Sequence, residues 1–325
     1  MARMQGKTTS EDFQYFAGVD VCKAHLDLRV FGSARGQRFP NDPAGIAGLL
    51  STLGVSSSGP HLVMFEPTGR YHIALWRALC AAGHGAVPYN PFWVRNLATG
   101  LGCLAKTDQI DALVLCTIAE KIKPAPKAAP SDDALEIKEL YAAQRAATKR
   151  RAMVRTQITA SFNATVLNLL AAEEAFLTAQ IKQMTAALTA LFKARSTTSR
   201  HHDILLSIPG IGEGAAAAIL TLLPEIGTAT NAEIAALAGT APFNNDSGPI
   251  KGRARTKGGR RALRTALHMP AIVAMNKNPD LKAFADRLRK RGKHIYAVIT
   301  ATLRKLLALA NTLIAENRLW TPEKP

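Results

Sequence analysis

Residues 131–195 contain neither a glycine nor a proline. A run of that length, rich in Ala, Leu, Lys, Arg and Gln, has no breaker to turn it and reads as one or two long helices. Ser131 is placed to cap it, with Asp132, Asp133 and Glu136 in the first turns, where acids meet the positive end of the helix dipole. The preceding Lys-Pro-Ala-Pro-Lys-Ala-Ala-Pro segment, residues 123–130, reads as a stiff linker. The chain therefore divides into a front domain over 13–123, a linker over 124–130, a helical arm over 131–200 and a back domain over 201–320. Heptad spacing in the arm is loose, so it is coiled-coil-like rather than a strict coiled coil.

The front domain reads as α/β. Strand-like runs cover 15–21, 25–31 and 37–40, and the second alternates Leu26, Leu28 and Val30 with polar neighbours. A helix follows over 43–53, then an apolar strand over 61–65, a helix over 71–82 closed by Gly83, a short strand over 84–88 and a helix over 107–121. The order β-β-β-α-β-α-β-α is the plan of a ribonuclease-H-like domain. The back domain reads as all-α.

Charge points to the partner. The chain carries 41 Lys plus Arg against 24 Asp plus Glu, a formal net charge of +17. Residues 251–325 hold 18 basic and 4 acidic side chains, whereas residues 201–250 hold five acids and no Lys or Arg. The densest run comprises Lys251, Arg253, Arg255, Lys257, Arg260, Arg261 and Arg264, with no anion among them. Cations this close repel unless phosphates neutralise them, so the run is a predicted nucleic-acid contact. With 47% hydrophobic residues the chain is no disordered basic tail. Its four cysteines form no C-x-x-C pair, which argues against a zinc finger or disulfide framework. The first twelve residues carry no apolar signal core, and the apolar stretch from Ile295 is interrupted by Arg304 and Lys305. The expectation is a prokaryotic cytoplasmic, nucleoid-associated protein with no membrane contact.

Four acids form the first candidate site. Asp20 lies near the end of the first strand and Glu66 closes the fourth; in a ribonuclease-H-like sheet those strands are neighbours. Asp108 and Asp111 are spaced i, i+3 and share one helix face. Together they offer oxygen donors alone, the set preferred by Mg²⁺, and two such ions can serve an in-line phosphoryl displacement. Taken singly, each reads as an ordinary surface acid or cap. The case rests on Glu66, the only Asp or Glu between Asp42 and Asp108, followed by Pro-Thr-Gly.

Two further motifs lie in the back domain. Ala241-Pro-Phe-Asn-Asn-Asp-Ser247-Gly-Pro is a loop by composition, and its hydroxyl could attack phosphorus beside the basic run, but from the residues alone Ser-Gly-Pro in a loop is usually a plain turn. Ile208-Pro-Gly-Ile-Gly212 reads as a helix-hairpin-helix-like turn. It is balanced between phosphate binding at a helix N-terminus and close packing of two helices, with Glu213 weighing against the former.

In order along the chain, Gly18-Val-Asp20-Val-Cys-Lys23, Phe65-Glu66-Pro-Thr-Gly69-Arg-Tyr71, Lys106-Thr-Asp108-Gln-Ile-Asp111-Ala, Ile208-Pro-Gly-Ile-Gly212, and Ala238-Gly-Thr-Ala-Pro242 through Ser247-Gly248 into Arg253, Arg255 and Gly258-Gly-Arg260 resemble the DEDD transposases of the insertion sequence 110 family. The likeness spans about residues 15 to 310, with Thr240 in place of a more usual apolar residue. It implies a RuvC-like metal domain, a helical arm and a C-terminal transposase domain. It implies Asp20, Glu66, Asp108 and Asp111 as metal ligands for Mg²⁺, two ions per site, and Ser247 as a nucleophile that links transiently to DNA. It also implies donor and target DNA as substrates, a structured guide RNA encoded by the element, and a homo-oligomer, dimer or tetramer. Two other functions fit the same acids and charge: a metal-dependent junction-resolving nuclease using water alone, and a non-catalytic nucleic-acid-binding protein.

Overall fold

The computed structural model describes residues 13–100, 102, 108–244, 252 and 254–322. They form two compact units divided between Ser131 and Asp132.

In the first unit, β1 (Tyr15–Val21), β2 (His25–Val30) and β3 (Gln37–Pro40) form an antiparallel meander. Helix α1 (Pro43–Ser56) starts where Asp42 accepts the Gly45 amide at 2.8 Å and Pro43 presets the first turn. Then come β4 (His61–Phe65), α2 (Ile73–Ala81), β5 (Gly85–Pro88), α3 (Pro91–Gly100) and α4 (Asp108–Ile122). The sheet order is β3-β2-β1-β4-β5, with β4 parallel to both β1 and β5. This mixed sheet is consistent with the ribonuclease-H-like plan.

Alternation along β1 sends residues to two faces. Ala17, Val19 and Val21 join Val63 and Phe65 in a core with α1 and α2 residues such as Leu49 and Leu79. Phe16 joins Leu62, Met64 and residues of α3 and α4 on the other face. Helix α3 was not expected from the sequence; Pro91, which reads as a breaker, occupies its first position, where a missing N–H costs nothing. The Pro/Ala linker is docked rather than free. Lys127 donates its N–H to Ala86 O, its carbonyl accepts from Trp76 Nε1 at 3.0 Å, and Pro130 O accepts from Arg77 at 3.2 Å. Extended prolines leave those backbone groups outward, and α2 and β5 satisfy them.

The second unit opens with α5 (Asp132–Ala160) and α6 (Ala164–Lys193), joined through Asn163, whose side chain caps α6. The pairs Gln144–Thr185, Arg150–Glu173 and Arg155–Glu174 show the two helices running antiparallel. Buried Ala147, Val154 and Leu177 seal the seam, and Asp133 pairs with Arg195 at its base. On α6, Leu170, Leu177, Ile181, Met184 and Leu188 keep three-four spacing; α5 drifts off it, placing Gln144 and Ala147 inward, which is why strict heptads are absent.

The chain continues through α7 (Ser196–Ser207), α8 (Glu213–Leu222), α9 (Asn231–Leu237), the strands β6 (Pro242–Phe243) and β7 (Arg255–Thr256), then α10 (Arg261–Ala266), α11 (His268–Lys277), α12 (Pro279–Lys290) and α13 (Ile295–Ala315). β6 and β7 pair as a two-residue antiparallel ribbon, an addition to the all-α expectation that is too short to register as strand in the sequence. α13 is long and apolar enough to cross a membrane by length and composition. Val298, Leu303, Leu306, Leu307, Ala310 and Leu313 bury it instead as the central helix of this unit's core.

Candidate functional site

Register places the first two predicted acids side by side. Val19 pairs with Phe65 across the parallel β1–β4 ladder, so the next residues, Asp20 and Glu66, leave adjacent strands at the same end. Both are half-buried. Across the other ladder Asp20 stands opposite Asp27, and Asp27 opposite Arg38. Cross-strand partners share a face, so Asp20, Asp27 and Arg38 form one row across β1, β2 and β3, with Glu66 immediately past the end of neighbouring β4.

Asp27 was not singled out from the sequence. It is 4% exposed, and Arg38 grips both its oxygens at 2.9 Å while His25 Nε2 approaches to 3.3 Å. Two like charges facing across strands repel. The bidentate arginine neutralises Asp27, leaving the strand-end position of Asp20 tolerable beside it. The alternation of Leu26 and Leu28 sets Asp27 on the opposite face of β2 but gives no sign of its burial or of its arginine partner.

Helix α4 covers this face. Gly18 lets it approach: a Cβ there would lie 2.3 Å from Ala112 O and 2.4 Å from Cys116 N. Cys116 Sγ donates to Phe16 O at 3.6 Å, and Lys123 Nζ lies over the Phe16 ring at 5.5 Å. The helix thus runs antiparallel to β1, and its first turn, with Asp108 and Asp111, lies toward the Asp20 end. Asp111 is half-buried; the Asp108 side chain is outside the described set. Among the described residues no three His, Cys, Asp or Glu side chains converge into a metal cluster. Asp20 and Glu66 are brought together by register; a four-carboxylate cage is not formed by the described side chains. The oxygen-only donor chemistry still suits a hard divalent cation. Burial pushes the Cys116 thiol behind this row up to about 12, so it stays protonated.

In the second unit, Ser247, Lys251 and Arg253 lie outside the described residues. The scaffold around them is held by backbone contact. Gly239 and Gly259 have φ of 67° each, and a Cβ on Gly259 would lie 2.1 Å from Gly239 N. Only glycine allows that approach. It joins the end of α9 to the start of α10, with Arg260 N donating to Leu237 O at 2.6 Å. Thr240, the departure noted in the sequence, is buried and donates its hydroxyl to Ala235 O at 3.1 Å, which explains why a polar residue is accommodated.

Of the five described cations in the basic run, two are tied into this scaffold. Arg260 donates to Glu225 at 2.6 and 2.5 Å and to Leu222 O at 2.9 Å; Arg264 donates to the carbonyls of Gly239 and Gly258. Arg255, Lys257 and Arg261 are exposed.

The glycine hairpin resolves toward packing. Gly210 has φ of 109°, and a Cβ there would lie 2.6 Å from Ala274 Cβ on α11. At the start of α8, Glu213 accepts from Thr189 and pairs with His202 Nε2, each at 2.9 Å. The chain's own carboxylate therefore stands in the first turn of α8, where an anion would otherwise be favoured.

Comparison with known proteins accords with these two units. Residues 17–166 match a DEDD transposase family model of the IS110 type, described as "Transposase", and residues 202–286 match the "Transposase IS116/IS110/IS902 family". The pilin gene-inverting proteins of Moraxella bovis and Moraxella lacunata are each 26% identical over 312 residues, covering 93% of this chain and 96% of theirs. An uncharacterized 43.6 kDa protein of insertion element IS110 from Streptomyces coelicolor is 32% identical over 149 residues, covering 45% of this chain and 36% of that protein. With the strand-end acids inside one matched region and the glycine-locked scaffold inside the other, both units are similar to transposases of the IS110 type, and the chain is a DNA-recombining enzyme of the transposase kind.

Proposed function

We propose that the chain exchanges DNA strands through a covalent Ser247–phosphate link, at a divalent-metal centre built from Asp20, Glu66, Asp108 and Asp111. The observation that carries the reading is the adjacency of Asp20 and Glu66 at neighbouring strand ends, beneath the first turn of α4. These four carboxylates would hold Mg²⁺, two ions in all, which when bound supply charge stabilisation at the scissile phosphate. Asp20 and Glu66 orient that centre from the sheet, and Asp27, neutralised by Arg38, adds little repulsion to the charge on Asp20 opposite it.

Ser247 Oγ attacks phosphorus and the deoxyribose oxygen leaves, so one phosphodiester becomes a phosphoserine ester. A deoxyribose hydroxyl of the second duplex then attacks that ester and releases Ser247. No external energy source is consumed, because one ester is exchanged for another. Arg255, Lys257 and Arg261, with Lys251 and Arg253, neutralise phosphates around the reacting strand. The relatives named for gene inversion must break and rejoin DNA, which favours strand exchange over cleavage alone. A structured guide RNA and a dimeric or tetrameric assembly complete the proposal, by resemblance to the family.

The test is a trapped adduct. A nicked substrate that prevents rejoining should accumulate a protein–DNA link that Ser247→Ala abolishes, and Asp20→Asn or Glu66→Gln should abolish metal-dependent processing. Undiminished cleavage by Ser247→Ala would instead mean water is the nucleophile.

A further inference from the structure

The outward face of α13 forms a trough that shares Arg255 with the basic run but takes its remaining cations from elsewhere in the chain. While Val298, Leu303 and Leu306 enter the core, Ala297 and Ala301 present a low floor on the opposite side. Facing that floor is the β6–β7 ribbon, with Pro242, Arg255 and Thr256. The hollow between them measures about 680 Å³. A second hollow of about 480 Å³ shares Pro242 and Arg304 with it and extends to Lys305 and Ala308. From Tyr296 to Ala308 the two run along about 18 Å of helix at ~1.5 Å per residue.

The trough is cationic and aromatic. Arg255, Lys293, Arg304 and Lys305 line it, and among the described residues none of them pairs with a carboxylate. No acid occurs between Asp286 and Glu316. At one end stands Tyr296, 67% exposed, its ring stacked on His294 at 5.4 Å and 28°. His294 is itself fixed, because its ring nitrogen accepts the Tyr296 N–H and caps α13. Lys305 Nζ lies over the Phe284 ring at 5.7 Å. An aromatic face held out on a rigid support beside cations that no described carboxylate neutralises suits a strand whose bases are free to stack. A duplex hides its base faces, so its phosphates would meet the cations while the ring found no partner.

We propose that this trough binds an unpaired polynucleotide strand, with phosphates along Arg255, Lys293, Arg304 and Lys305 and one base stacked on Tyr296. The ribbon forming its wall, β6 and β7, flanks in sequence the segment containing Ser247. This rests on the strand-exchange reading for its DNA source; the stacking chemistry itself serves DNA or RNA.

The experiment is fluorescence anisotropy on the full chain with EDTA present, so that no turnover occurs. The probes are a labelled deoxythymidine 12-mer, the uridine 12-mer and a 12-base-pair duplex. Tyr296→Ala should weaken single-strand binding about tenfold, since stacking contributes ~1–3 kcal/mol per base, and should leave the duplex within twofold. Tyr296→Phe should restore binding. Arg304→Gln should weaken it several-fold and lower the salt slope by about one. A tenfold loss with the DNA oligomer identifies an exchanging strand as occupant, and one confined to the RNA oligomer identifies an RNA; either supports the trough. Unchanged single-strand affinity, or equal loss on the duplex, overturns it. Circular dichroism confirms that the exposed Tyr296 variants fold. The covalent-adduct assay is separate: an adduct with no Tyr296 effect removes only the trough, and a Tyr296 effect without an adduct removes only the serine mechanism.

Discussion

Gly18→Ala is the sharpest perturbation of the metal domain. The new methyl would lie 2.3 Å from Ala112 O, 2.4 Å from Cys116 N and 2.8 Å from Leu115 Cβ. Two of those atoms are helical backbone, so no rotamer change relieves the clash. Strand and helix must part by at least about 0.7 Å to reach the closest contact that real Cβ atoms show. Overpacking of this kind costs ~1–3 kcal/mol, and the backbone contacts place it at the upper end. Loss of glycine's freedom in the unfolded chain returns about 0.5–1 kcal/mol, for a net loss near 2 kcal/mol. Activity should suffer more. α4 carries Asp108 and Asp111 while β1 carries Asp20, and a misplacement of about 1 Å between reacting groups costs on the order of a hundredfold in rate. Gly54→Ala is the control, because it lies on exposed α1 with nothing within 4 Å of the added methyl. That change should be neutral or stabilising by up to ~1 kcal/mol. Guanidinium unfolding followed by hydrogen exchange at β1 and α4, with recombination rates in parallel, gives both numbers. If Gly18→Ala matches Gly54→Ala in stability and recombines at the wild-type rate, the close-approach argument is wrong.

Two cations of the same run should separate by role. Arg260→Ala should lower stability by roughly 1–3 kcal/mol, because charge-assisted bonds to Glu225 are lost, whereas Lys257→Ala should leave the melting temperature unchanged and reduce the salt dependence of DNA binding by about one counterion. Equal melting temperatures for the two variants would contradict the clamp. His61 is fully buried, and burial with the nearby His84 lowers its pKa to about 4 from 6.5. The unfolded chain takes the proton first, so stability is full above about pH 6.5 and falls as acid approaches pH 4, by roughly 3 kcal/mol from this group. His84, lowered in the same direction by burial, adds to the slope. Denaturation midpoints from pH 7 to 4.5 should show the fall, and His61→Leu should flatten it; an unflattened curve would assign the acid sensitivity elsewhere.

The legible parts of this sequence are those in which periodicity or punctuation dictates structure directly. Alternating Leu26, Leu28 and Val30 marked β2, and the absence of breakers marked the long helical stretch that α5 and α6 occupy, though not where it turns back. The parts that stayed hidden depend on long-range partners. Nothing local separates Arg260, clamped by Glu225 thirty-five residues earlier, from Lys257 three residues away. Nothing local says that Asp27 is neutralised by Arg38, or that Pro91 begins a helix rather than ending one.

The motifs quoted from the sequence thus contain two kinds of residue with different work. In Gly18-Val-Asp20 the carboxylate faces the proposed metal centre, but the glycine sets how near α4 comes to it. In Ala238-Gly-Thr and Gly258-Gly-Arg260 the glycines bring two backbones into contact, while Arg260 locks the joint through Glu225. A reading that takes every charged residue in a motif as chemistry misses the scaffold contacts of Arg260 and Arg264, and one that takes every glycine as a turn misses that these are spacers. The placement of the proposed catalytic groups therefore depends as much on the missing Cβ atoms as on the acids, and substitutions at Gly18 and Gly259, whose added methyls would meet backbone, should lower recombination steeply without replacing an ionisable group.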